Sequence, residues 1–137
     1  MAKQRIKQPA VLGGKFKLTE VSVQGSTNSK NPLFSFEYLS DEYCISKCEN
    51  EDKLQFVNKL RVIGKQTWQQ LTQNNKHGTG FEKIASDALL VAIPRSLTED
   101  CTFIAFRFSD KKPMIGFRRN EVFYIVWIDP TFQVYKH

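Results

Sequence analysis

A chain of 137 residues with 41% hydrophobic and 12% aromatic content is long enough to bury one real core and too apolar to stay disordered. Its longest apolar run, VFYIVWI, is far too short to cross a bilayer, and the basic stretch MAKQRIKQPAVLGGK lacks the apolar segment of a secretory signal. The formal charge of +6, from 20 basic and 14 acidic residues, leans toward a polyanionic partner such as nucleic acid rather than a membrane.

Charge is unevenly distributed. Residues 1–30 carry Lys3, Arg5, Lys7, Lys15, Lys17 and Lys30 against Glu20 alone, and residues 31–52 are acidic. From Lys53 to Lys83 the balance turns positive again, with only Glu82 opposing. Cys44, Cys48 and Cys101 are sparse and odd in number. That pattern fits a reducing compartment, and the cytoplasm is expected.

In chain order, residues 1–10 read as a mobile basic arm and residues 11–137 as a single α+β domain. GGKFKLTEVSVQG reads as a first strand, since Phe16, Leu18, Val21 and Val23 nearly alternate. LFSFEYLSDEYCI alternates Leu33, Ser35 and Glu37 against Phe34, Phe36 and Tyr38, suggesting a half-exposed strand paired with the first. A helix follows, with Asn50 as N-cap and with Glu51 and Asp52 in the first turn, where the helix dipole favours negative charge. Leu54, Val57, Leu60, Gly64, Trp68 and Leu71 recur at three- and four-residue steps and mark its expected buried face. Lys53, Lys59, Arg61 and Lys65 would lie on the solvated face, with Gly64 marking a kink or a close contact. NNKHGTG ends the helix as a loop. FEKIA reads as a short strand or turn, and ALLVAIP as a helix end or an apolar strand.

The last third reads as a four-stranded antiparallel meander: CTFIAFRF, PMIGFR, EVFYIVWI and TFQVYKH, broken at SDKK, RN and DP. Alternation puts Ile104, Phe106, Phe108, Met114, Phe123, Ile125, Trp127, Phe132 and Val134 on one face. Arg107, Ile115, Tyr124, Gln133, Tyr135 and His137 fall on the other, together with Phe103, Phe117, Val122, Val126 and Ile128. The fold class expected is therefore α+β, an antiparallel β-sheet with a C-terminal four-stranded meander packed on one face by one long or two short helices.

The polar positions of that second face form the first candidate site. Loops at SDKK and RN set Arg107 opposite Ile115, Ile115 opposite Tyr124, and Tyr124 opposite Tyr135. An arginine fork suits phosphate oxygens and tyrosine rings stack on unpaired bases. The competing reading is ordinary amphipathic sheet packing, with Arg107 reaching along the surface to water. Lys76 and His77 in the loop form the second candidate, because a histidine titrates near neutrality and glycines admit a phosphate. The Walker spacing is absent, and a plain helix-ending loop competes. Arg118 and Arg119 beside Asn120 are the third, at a hairpin tip that Asn120 suits. Arg118 falls on the apolar face in this register, from which it would reach solvent or Glu121. Cys44 and Cys48 are too poorly supplied with further ligands to make a metal site, so neither metal nor other cofactor is expected.

From residue 51 onward the order of elements resembles the RelE/ParE-like toxin superfamily of small bacterial ribonucleases and gyrase-directed toxins. IAFRF, MIGFRRNEVFYIVW and the helix-to-loop passage WQQLTQNNKHGTGFEKI carry the likeness. It implies RNA-handling roles for Arg107, Arg118, Tyr124 and either Tyr135 or His137, and an antitoxin as protein partner. The chain departs from the family in its strand pair at residues 11–46 and in having no lysine on the central strands. The leading expectation is a small RNA-binding protein acting as a metal-independent endoribonuclease. Arg107, Arg118, Arg119, Tyr135 and Lys76 would hold nucleic acid, and His77, Tyr124 and His137 would move protons or stack. The alternatives are a binder of nucleic acid without turnover and a protein-interaction module or dimer, self-associated through the apolar residues of the second sheet face.

Overall fold

The computed structural model describes residues 26–75, 78–97 and 100–137. The expected basic arm and first strand, and with them Lys76 and His77, lie outside the described residues. The architecture is α+β, as the sequence implies. Among the described residues, seven elements lie in the order β1 (Leu33–Ser35), α1 (Asn50–Gly64), α2 (Trp68–Gln73), β2 (Phe81–Ile84), β3 (Phe103–Ser109), β4 (Lys112–Arg119) and β5 (Val122–Ile128), with short 3-10 turns at Ile45–Lys47 and Ser86–Ala88. The strands form one five-stranded sheet in the order β1-β5-β4-β3-β2. β2 to β5 are antiparallel neighbours, whereas β1 joins β5 in parallel. The sheet is thus mixed.

Two features of the expected meander change. The first hairpin loop is tighter than anticipated, residues 110–111 in place of SDKK, and the second keeps two residues but moves one position on, to 120–121; each turns through a residue at positive φ, Asp110 (56°) and Asn120 (57°). Asp and Asn tolerate that region best among residues with a Cβ. The register therefore slides by two: Arg107 faces Pro113, Ile115 faces Ala105, and Phe117 faces Tyr124. An even slide leaves the faces unchanged. The second change alters a face. The β4–β5 register shifts between Ile115 and Gly116, where Ile115 pairs with Trp127 and Gly116 with Ile125. Val126 is the extra residue of a bulge, so parity reverses beyond it. Trp127 moves to the second face and Ile128 to the first. Gly116 is required there, because a Cβ would run into the carbonyl oxygen of Tyr124.

The fourth expected strand, TFQVYKH, is not part of the sheet. It folds back at Asp129, a fully buried carboxylate that accepts the backbone N–H groups of Gln133 and Val134 at 2.9 Å each. Phe132 closes this turn at φ 59°, and its N–H reaches the Asp129 carbonyl. The tail then bridges to the segment after the Ser86 turn, Leu89 opposite Tyr135, with Leu90 and Lys136 donating to Val134 and Ala88. A chain bent so sharply after Ile128 cannot run back along β5. Phe132 consequently points outward and Val134 joins the second face's core.

Helices cover the first face. α1 presents Asp52, Phe56 and Ile63 to it, and α2 adds Trp68 and Leu71. Of the expected stripe, Leu60, Trp68 and Leu71 pack on the first core, whereas Leu54 and Val57 are turned outward and exposed. Both stripes have helical spacing; Phe56 offers the larger apolar surface, and Asp52 fixes the rotation. Its buried carboxylate accepts from Ser109 Oγ at 2.9 Å and from Lys112 Nζ at 2.9 and 3.0 Å, tying the helix start to the β3–β4 turn. Lys112 beside it holds the Asp52 carboxyl below its ordinary range. The N-cap is Glu49, one residue earlier than expected. Gly64 ends α1 against the Phe34 ring instead of kinking it. Thr67 and Gln70 then close a capping box that starts α2 separately. Lys59, expected on the solvated face, donates to the Gly78 carbonyl at 3.1 Å and steadies the loop before β2.

Candidate nucleic-acid interface

The second sheet face is a core and not an open surface. Ala105, Ile115, Phe117, Val126 and Trp127 are buried under Tyr38, Tyr43, Leu89, Val91, Ile93 and the returning tail. Of the apolar residues expected to need a partner, Phe103, Phe117 and Val126 are covered by this chain's own loops, and Ile128 lies in the core of the first face. Segments that the sequence presents as strands or a helix end, LFSFEYLSDEYCI, ALLVAIP and TFQVYKH, supply that layer instead, so the covered face was not visible from strand alternation alone.

The expected Arg–Tyr–Tyr row separates into two places. At the β2 side, Tyr135 Oη donates to Glu82 Oε1 at 3.2 Å, and Arg107 lies 3.9 Å from the same oxygen. Burial, with the Glu82 charge second, raises the Tyr135 phenol above its ordinary pKa. His137 packs its ring 4.2 Å from that of Tyr135 and is exposed at the chain end. Arg107, Tyr135 and His137 are therefore brought together, but around a carboxylate that already uses both the cation and the phenol. Glu82 itself carries no sequence signal beyond its place in a short alternating strand.

At the other end, Tyr124 stacks on Phe117 with centroids 4.9 Å apart and an interplanar angle of 11°, and Tyr38 flanks it at 5.5 Å. The exposed Arg119 lays its guanidinium over this pair, 5.1 Å from the Phe117 ring and 5.9 Å from Tyr124. Six strand positions separate Arg119 from the level of Arg107, about 20 Å at the usual rise per residue. Tyr124 and Arg107 do not share a site.

Arg118 is on the opposite face from both. Its guanidinium sits 4.4 Å from the Trp68 ring, and it donates to Asn120 O (2.7 Å), Thr27 Oγ1 (2.9 Å) and Asn28 Oδ1 (2.8 Å). The puzzle of a cation on an apolar face is resolved by a tryptophan beneath it and the 26–28 loop around it. Burial lowers its pKa, yet a guanidinium remains charged in a protein. Trp68 Nε1 in turn donates to Glu121 O at 3.0 Å, so hairpin tip and α2 lock together.

A cleft of about 310 Å³ opens at this end, lined by Asp100, Cys101, Thr102, Phe117, Arg118 and Arg119. Thr102 and Cys101 were not expected here; they follow from the pairing of Phe103 with Phe117. A hydroxyl and two guanidiniums beside stacked rings can take a phosphate and one flanking base. Cys44 and Cys48 are free thiols at the 3-10 turn, the latter inside the first core. No family model, curated protein or solved structure matches the chain.

Proposed function

We propose that the protein binds single-stranded RNA, without cutting it, at the hairpin-tip end of the sheet. The observation that carries this reading is the exposed Arg119 guanidinium supported on the Phe117–Tyr124 stack at the mouth of the cleft. A guanidinium resting on rings keeps its fork free for phosphate and offers a flat face to a base. Arg118, fixed by three hydrogen bonds, adds a second positive charge to the wall. The formal charge of +6 favours any polyanion over a neutral ligand. The free cysteines fit a cytoplasmic setting.

Cleavage in the manner of the toxins that the sequence resembles needs an acid, a base and a cation around one phosphate. Arg107 and Arg118 lie on opposite faces of the sheet, and Tyr124, level with Phe117, is two strands away from Arg107 and about 13 Å from its level by strand rise. This separation favours binding over turnover. The test is fluorescence anisotropy of a labelled single-stranded RNA with stepped salt, alongside a gel of the same RNA. Expected is saturable, steeply salt-dependent binding that Arg119→Ala weakens about tenfold, with the RNA intact. Equal binding by the variant, or equal preference for duplex DNA, defeats the reading.

A further inference from the structure

The outer side of α1 carries an apolar centre flanked by opposite charges, an arrangement that matches its own copy. Leu54 is 66% exposed, Val57 63% and Phe36 50%, and these are half of the six large hydrophobic residues exposed among those described. Phe36 lies beside the buried face of the same helix, its ring 6.4 Å from that of Phe56. Helical spacing puts Glu51, Leu54, Val57, Asn58 and Arg61 within one outward stripe. Glu51 lies at the start of the helix and Arg61 in its last turn, both exposed.

From these positions we infer that the protein self-associates as a two-fold dimer, with α1 packed antiparallel against α1 of a second copy. In a two-fold contact each residue meets its symmetry counterpart's neighbour reciprocally. The midpoint between Glu51 and Arg61 falls at Phe56, and Leu54 and Val57 straddle the same level. Reversing one helix on the other therefore brings Leu54 to within one residue, about 1.5 Å along the axis, of the level of Val57 of the copy at the moment Glu51 meets Arg61. The two ends are about 15 Å apart along the axis, so both ion pairs form together. Local bonds hold the charged groups in place: Gln55 Nε2 donates to Glu51 Oε2, and Arg61 to Asn58 Oδ1, each at 3.0 Å. Helix dipoles also oppose favourably in this arrangement.

A parallel pairing would set like charges together at both ends. An unrelated partner would need the same acidic–apolar–basic order by coincidence, whereas a second copy has it by construction. The helix has 15 residues, a face about 22 Å long. Such a face buries less than the roughly 800 Å² per partner of a standard interface, so a weak dimer with Kd in the micromolar range is expected. This surface is on the helix side of the sheet and does not involve Arg119.

Sedimentation velocity of the full chain over a hundredfold concentration range reads the proposal directly. The wild type should shift from monomer to dimer as concentration rises. Leu54→Glu should stay monomeric with an unchanged circular dichroism spectrum. Glu51→Arg and Arg61→Glu should each weaken association about tenfold, and the double variant should restore it. The charge exchange keeps the test decisive even if Leu54→Glu misfolds. A wild type that is monomeric throughout overturns the inference, as does a double variant no better than the singles. Monomeric protein that sediments instead with phosphatidylserine vesicles would assign the patch to a membrane surface and overturn it equally.

Discussion

The two ends of the sheet use the same residue types for opposite purposes. Near β2, Arg107 and Tyr135 converge on Glu82, and the cluster stitches the returning tail to the sheet. At the hairpin tip, Arg119 rests on Phe117 and Tyr124 with its polar edge toward a cleft. An arginine beside a carboxylate is committed to it. One laid over rings has its donors available. The contrast explains why a row of arginine and tyrosine in a sequence does not by itself mark a binding surface: the partner decides, and the partner here comes from a strand remote in sequence.

The largest expected effect breaks both ends at once. Gly116→Val drives a side chain into the Tyr124 backbone at the bulge, and Tyr124 supports Arg119 while the bulge turns Trp127 toward the tail's core. A loss of more than about 3 kcal/mol in urea unfolding is expected, because overpacking here cannot be relieved by a rotamer change. Next comes Asp129→Ala, which strands two backbone N–H groups now held by a fully buried carboxylate. Roughly 1–3 kcal/mol should be lost. Hydrogen exchange should rise first in residues 130–137, leaving the hairpin tip protected. Equal loosening at both ends would erase the distinction drawn between them.

The pair of arginines separates the ends most directly. Arg119→Ala should weaken RNA binding about tenfold, equivalent to about 1.4 kcal/mol, and leave the urea midpoint within experimental scatter. Arg107→Ala should do the reverse, costing up to about 1 kcal/mol of stability for a partly exposed pair with RNA affinity intact. If Arg107→Ala abolishes binding, the committed end is the functional one and the comparison is inverted.

How much of this was legible in the sequence depends on what carries each feature. The strands β3 to β5, the turn at Asn120 and the charged start of α1 follow from local patterns, and the structure has them. The rotation of α1 was not legible, because Leu54–Val57 and Phe56–Ile63 share the helical period and only Asp52's contact with Ser109 and Lys112 chooses. Nor was the bulge: Gly116 hints at close approach, but Val126 looks like any strand residue. The assumption that one sheet face was open failed for a similar reason. Loops such as 86–97 carry no period, yet Leu89, Val91 and Ile93 from that stretch complete a core. Arg119 was named beside Arg118, yet sequence alone could not divide their labour, since alternation separates their faces without revealing Trp68 or the Phe117–Tyr124 stack.

The smallest effect is also the most specific. Tyr135 is an acid whose folded pKa lies above its unfolded value, since burial and the neighbouring Glu82 charge both oppose ionisation. In the unfolded chain a tyrosine ionises near about pH 10. Below that pH both states are protonated and the contribution to stability is fully present. As pH rises past about 10, the unfolded chain releases a proton that the folded chain keeps, so unfolding gains and stability declines toward the folded pKa. Tyr135→Phe removes the titrating group, and its urea midpoint should fall less between pH 9 and 11 than the wild type's. Glu82→Gln should flatten the same limb partially, because burial, the larger cause, remains. An alkaline limb that Tyr135→Phe leaves as steep as the wild type's would mean that the buried, carboxylate-bound phenol is not the one the fold protects, and the committed end would lose its defining feature.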